Sequence, residues 1–122
     1  MKNKPKHTRT VLFKNKDVEV ILIDWEPGSE TPIHDHGESC GIIRVLRGAL
    51  TEDVFSPFTL ESSYSNYYGE EGIFFEIPTT IHCVKNSGKN KARSLHIYTP
   101  PLVMKEYEGK AHSTSSGQGE QK

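Results

Sequence analysis

Pro27-Gly28-Ser29-Glu30-Thr31-Pro32-Ile33-His34-Asp35-His36 carries two histidines two residues apart, and the reading of this stretch decides the fold. On an extended chain, residues i and i+2 point to the same side. The imidazoles of His34 and His36 can then grip one metal ion from one side. A third histidine, His82, lies four residues before Asn86. Supplied by a neighbouring strand, it completes a facial set of three nitrogens and leaves the opposite positions open for substrate.

Around this stretch, helix signals are nearly absent and strand signals recur. Val18-Glu19-Val20-Ile21-Leu22-Ile23 is rich in β-branched residues and follows a turn at Lys14-Asn15-Lys16-Asp17. Glu26-Pro27-Gly28-Ser29 ends it. Further strands are expected at Gly41-Ile42-Ile43-Arg44-Val45-Leu46, from Ala49 to Phe55, at Gly72-Ile73-Phe74-Phe75-Glu76-Ile77, and from Arg93 to Tyr98. Arg47-Gly48, Ser56-Pro57, Pro78 and Pro100-Pro101 punctuate them, and Glu61 to Gly69 reads as a polar connection. Many short strands separated by turns favour a sandwich or barrel over an open sheet. The chain is expected to be all-β.

At 122 residues the length suits one domain, expected over 1–111, with the Ser/Gly/Gln-rich segment 112–122 as a polar, disordered tail. The formal charge of −1 comes from interspersed acids and bases, which excludes the basic footprint of a nucleic-acid binder. There is neither a long apolar run nor an apolar signal segment, so a membrane role is not expected. Two cysteines, Cys40 and Cys83, are too few for a disulfide framework and make a reducing cytoplasm the default location. His7 and His112 read as surface or satisfied core residues, and Cys83, Trp25 and the Phe74-Phe75 pair as packing residues.

The spacing from Gly28 through His34-Asp35-His36 to Gly48 resembles the first motif of the cupin superfamily, and Gly72, Pro78, His82 and Asn86 resemble the second. The resemblance implies a small double-stranded β-helix. The first motif's glutamate, the usual fourth ligand, falls on Gly41. Glu38 is the nearest replacement carboxylate, but a one-residue spacer puts it in the loop after His36. Three neutral imidazoles leave the ion its full +2 charge, which attracts anionic ligands such as thiolate. Histidine-only sites also hold zinc, so the ligand set by itself leaves the metal open.

Ser94-Leu95-His96-Ile97-Tyr98-Thr99-Pro100-Pro101 narrows the choice. On a strand, Ser94, His96 and Tyr98 share one face, as a hydrogen-bonded relay requires. Composition alone favours Leu95 and Ile97 as the core face, with the polar three toward solvent. This segment, with His34-Asp35-His36, Trp25 and Thr8-Arg9, resembles the cysteine dioxygenase family over roughly Arg9 to Leu102. The resemblance implies Fe(II) held by His34, His36 and His82. It implies Tyr98 as the active-site phenol oriented by His96 and Ser94, Arg9 as the clamp for a substrate carboxylate, and a cis Thr99–Pro100 peptide. The substrates implied are a small thiol, L-cysteine foremost, and O2.

Mammalian members of that family carry a thioether-forming cysteine at the position of Gly41; bacterial relatives carry glycine. Cys40 is one residue off, hence on the opposite face, and no Cys40–Tyr98 crosslink is expected. Family members also have an N-terminal helical segment without a counterpart here, so a more open site, or one covered by a partner, is expected. A homodimer through sheet edges is compatible with the cupin resemblance. The competing readings are a dioxygenase for 3-mercaptopropionate, a zinc- or manganese-dependent cupin enzyme, and a non-catalytic cupin that binds metal or ligand. Relatives preferring the mercapto acid commonly carry glutamine where Arg9 stands.

Overall fold

A computed structural model describes residues 4–103 and 106–107. Ten strands and no helix are found among them. They are β1 (His7–Lys14), β2 (Glu19–Trp25), β3 (Ile33–His34), β4 (Cys40–Arg47), β5 (Leu50–Phe55), β6 (Ser62–Tyr68), β7 (Ile73–Glu76), β8 (Ile81–Lys85), β9 (Ala92–Thr99) and β10 (Glu106–Tyr107). Two five-stranded antiparallel sheets result, ordered β1-β2-β9-β4-β7 and β10-β3-β8-β5-β6. No helix of the described residues is long and apolar enough to cross a membrane. The segment 112–122, expected to be a tail, and His112 lie outside the described residues.

The all-β expectation holds, and the five strands anticipated from apolar residues are β2, β4, β5, β7 and β9. Glu61 to Gly69 is not a connection: most of it is β6, paired along β5 from Leu50↔Tyr68 to Phe55↔Ser62. Its polar composition is explained by its partners, since Ser65 donates to Asp53 at 2.6 Å and Asn66 to Glu52 at 3.2 Å. A strand bonded to buried carboxylates on both faces needs polar side chains on both.

Turn chemistry sets the registers. Asn15 Oδ1 accepts from the amides of Asp17 and Val18 at 2.8 and 2.9 Å, closing the β1–β2 turn. Gly48 ends β4 at φ +73°, where a Cβ would stand 2.8 Å from the Lys91 carbonyl oxygen. Asn86 ties the far end together: its amide donates to the carbonyls of Trp25 (3.2 Å) and Asn90 (2.8 Å), and its oxygen accepts from Gly88 (3.0 Å).

Cross-strand register aligns inward residues of the first sheet into rows. Ile21, His96, Ile43 and Phe74 form one row; Glu19, Tyr98, Gly41 and Glu76 form the next. Between the sheets Ile21, Ile23, Trp25, Ile43, Val45, Leu50, Phe74, Val84 and Ala92 make the main core, with Tyr98 at its border. Trp25 is therefore core, as expected, and His7 stacks on it with centroids 5.1 Å apart. The Phe74-Phe75 pair divides. Phe74 is buried, whereas Phe75 is 70% exposed, because adjacent strand residues must face opposite sides. It aligns there with Ile42 and Ile97 on an apolar outer surface. A smaller cluster of Phe55, Ile81 and Cys83 lies under Ile33, Leu60 and Tyr107. Cys83 thus packs as expected, and burial pushes its thiol up to about 12.

Candidate metal centre

The second sheet brings the three histidines together. His34 sits on β3 directly opposite His82 of β8, and His36 follows two residues after His34. The Nε2 atoms of His36 and His82 are 3.0 Å apart, and those of His82 and His34 3.2 Å. All three residues are buried. Two donors about 2.1 Å from one ion and at right angles stand about 3.0 Å apart, so the spacing suits a shared transition-metal ion.

Hydrogen bonds on the far side of the rings prepare these nitrogens. His34 Nδ1 lies 2.7 Å from the Pro32 carbonyl, and His82 Nδ1 lies 2.7 Å from Glu52 Oε2. Each partner accepts a proton from Nδ1, which leaves Nε2 with a free lone pair. Burial, with help from neighbouring His82, lowers His34 to about 3, so it is neutral and ready to ligate near neutral pH. Glu52 is itself buried and accepts from Tyr68 Oη at 3.3 Å as well as from Asn66.

The loop bearing the histidines is strapped by the chain's later residues. Tyr107 Oη donates to Asp35 Oδ2 at 2.7 Å, and Ser39 Oγ donates to the Pro100 carbonyl at 2.6 Å. A Cβ at Gly37 (φ +58°) would come within 2.5 Å of the Val103 carbonyl oxygen. The Thr99–Pro100 peptide within this segment is cis, as anticipated.

From the opposite sheet, β9 turns its polar face inward: Ser94, His96 and Tyr98 are buried, while Ile97 is exposed. The face that composition favours as core is therefore the outer one. The indole Nε1–H of Trp25 donates to Ser94 Oγ at 2.9 Å. Ser94 Oγ is 2.7 Å from His96 Nε2, and His96 Nδ1 is 3.1 Å from Tyr98 Oη. The phenol is hydrogen-bonded to the Glu76 carboxylate, which can only accept, and this sets the polarity of the chain. Ser94 passes its proton to His96 Nε2, His96 carries its own on Nδ1, and the phenol proton points onward. Burial lowers His96 to about 4 despite the nearby Glu76 charge, so it stays neutral. Burial first, then the charge of Glu76 and a hydrogen bond to it, raise Tyr98 well above 10 and keep it a donor. Its ring lies 6.2 Å, centroid to centroid, from that of His36.

Two carboxylates complete the centre, and sequence reasoning passed over both. Glu52 supports His82 from behind. Glu76, 2% exposed, presents Oε1 2.8 Å from His36 Nε2 and Oε2 3.2 Å from His82 Nε2. Burial opposes its charge, but the close approach of His36 and the surrounding imidazoles hold its pKa at about 2. The signal for Glu76 was alternation: with Phe74 inside, Glu76 must be inside too. Glu38, the replacement carboxylate considered from sequence, is exposed in the loop.

Arg9 is exposed on edge strand β1, in register with Ile23 and, one strand further, Ser94. It therefore belongs to the inward side, and its charge acts on both His96 and Tyr98. Cys40 is exposed opposite Thr99, whereas Tyr98 faces inward opposite Gly41.

Comparisons with known proteins agree with this architecture. A family model described as Cysteine dioxygenase type I matches residues 2–109. Cysteine dioxygenase type 1 of Rattus norvegicus is 27% identical over 105 residues, covering 80% of this chain and 52% of that protein. Auxin-binding protein 1 of Arabidopsis thaliana is 37% identical over 109 residues, covering 81% of this chain and 51% of its own. The chain thus spans about half the length of these curated relatives. Among solved structures, a protein with a double-stranded β-helix domain from Klebsiella pneumoniae superposes with a TM-score of 0.72 at 18% identity, covering 88% of each chain. The fold is the double-stranded β-helix expected from the cupin motifs.

Proposed function

Because the chain belongs to the cysteine dioxygenase type I family, we propose that it is an Fe(II) thiol dioxygenase converting L-cysteine and O2 to cysteine sulfinate. The observation that carries this reading is the inward polar face of β9 beside the three-histidine cluster. A strand that sacrifices apolar burial for a fully bonded Trp25–Ser94–His96–Tyr98 chain supports a chemical use for the phenol.

His34, His36 and His82 hold the ion. When bound, Fe(II) supplies a place where thiolate and O2 meet and exchange electrons. Arg9 offers a guanidinium that matches the substrate carboxylate bidentately. Tyr98 donates its phenol proton into the reaction space, and His96 and Ser94 keep that proton aimed there. Fixing the thiol by its carboxylate turns an encounter of separate molecules into a local event. The thiol provides all the electrons, both oxygen atoms end on sulfur, and no external reductant is needed. Both cysteines are free thiols, which fits a reducing cytoplasm.

The likeness to auxin-binding protein 1 favours a second reading, a metal-dependent module that binds a small organic ligand without turning it over. Loading the protein anaerobically with Fe(II), admitting air and following O2 uptake with L-cysteine and with 3-mercaptopropionate separates these readings. Cysteine sulfinate, identified by mass, supports the cysteine dioxygenase. Preference for the mercapto acid keeps the chemistry and removes the cysteine assignment. No uptake with either thiol, despite bound iron, leaves the binding module.

A further inference from the structure

We infer that Glu76 is a protein ligand of the metal, so that the substrate-free centre consists of three imidazoles and one carboxylate delivered by β7. The inference rests on the reading of His34, His36 and His82 as ligands. Three observations carry it. Each oxygen of Glu76 stands at ligand-to-ligand spacing from a histidine nitrogen, 2.8 Å from His36 Nε2 and 3.2 Å from His82 Nε2. Oε1 is buried, and its 2.8 Å contact with His36 Nε2 falls short of hydrogen-bond geometry, so its charge is costly there unless a cation meets it. A His36 that gives its Nε2 lone pair to a metal has no proton there for Glu76, so the ion would take the place of that contact.

The third observation is register. Gly41, which stands at the cupin glutamate position, is paired directly with Glu76 across β4 and β7. A Cβ at Gly41 would lie 3.4 Å from Glu76 Oε1 and 2.6 Å from the Tyr98 ring. The space that a β4 carboxylate would need is filled by the phenol, and the carboxylate arrives from the neighbouring strand instead. The ligand has moved one strand across the sheet without leaving the site. With Glu76 bound, a divalent ion retains a net charge of +1, and a six-coordinate ion keeps two open positions. Two positions would suffice for a thiolate and O2, so the carboxylate would leave no further position for a substrate amine.

The test uses Co(II) on the whole chain, with affinity measured by chelator competition and coordination followed by the visible spectrum. Glu76→Gln is expected to weaken Co(II) binding at least about 100-fold, beyond the loss of roughly 10–100-fold that removal of a supporting hydrogen bond causes. It is also expected to change the cobalt absorption bands, while Glu76→Asp retains part of the affinity. Unchanged affinity and spectrum in Glu76→Gln overturn the assignment. Should neither variant fold, a crystal structure of the cobalt-loaded native chain decides. A carboxylate oxygen about 2.0–2.2 Å from the ion supports the inference, and a carboxylate turned away overturns it. O2 uptake with thiols is read in parallel. Glu76-dependent metal binding without thiol oxidation removes the dioxygenase reading alone, and thiol oxidation with Glu76-independent metal binding removes the ligand assignment alone.

Discussion

The space between the two sheets is filled in two opposite ways. Toward one end Ile23, Trp25, Val45, Leu50, Val84 and Ala92 exclude water with hydrocarbon. Toward the other His34, His36, His82, Glu76 and Tyr98 are buried just as thoroughly, yet nearly every contact is polar. On β8 the passage from one regime to the other takes two residues, from Val84 to His82. The difference teaches that burial in this molecule has two uses. The dry end gains stability from apolar area, whereas the polar end spends burial on stripping water from donors that a metal can then claim.

If the two ends are independent, substitutions should sort cleanly. The largest effect belongs to His34→Ala, which should weaken metal binding by roughly 1,000-fold or more, well beyond the loss from an outer partner. Calorimetric titration checks it, and the melting temperature of the metal-free form should move little. At the dry end, Leu50→Ala should cost about 2–5 kcal/mol of stability in urea denaturation, with metal affinity unchanged. Coupled losses of affinity and stability in that variant would break the comparison. Glu52→Gln sharpens it further, because the side chain keeps its shape while His82 loses its anionic acceptor. Metal affinity should fall about 10–100-fold, measured by chelator competition.

The smallest effect comes from His96. Its folded pKa of about 4 lies below the 6.5 of an unfolded histidine. The unfolded chain therefore binds the proton first, and stability that is complete above pH 6.5 is lost as pH falls toward 4. The slope from this residue approaches about 1.4 kcal/mol per pH unit. Urea midpoints of the metal-free protein at pH 7.0 and 5.0, compared with His96→Gln, should show a shallower dependence in the variant.

The dry end was the more legible in sequence. β2, β4, β5, β7 and β9 announce themselves through β-branched residues and turn punctuation, and the three histidines through spacing alone. Tyr98, His96 and Ser94 were legible only through resemblance, because local pattern favours Leu95 and Ile97 as the buried pair. β6 was hidden because its residues answer carboxylates on β5 that are distant in sequence. Glu76 was hidden for a related reason. What places it beside the histidines is its pairing with Gly41, 35 positions away along the chain (76 minus 41), and register of that kind is a property of the sheet. Phe75 shows the opposite failing: alternation was sufficient to separate it from Phe74.

The strap over the histidine loop bears on time rather than affinity. Asp35 lies between two of the proposed ligands, and it is held by Tyr107 from a strand only two residues long. An ion leaving the centre must wait for its histidines to part, and β10 resists that parting from outside the donor set. Loosening β10 would leave every donor atom in place and still shorten the residence of the ion. How long the metal stays is thus written partly into residues that never touch it.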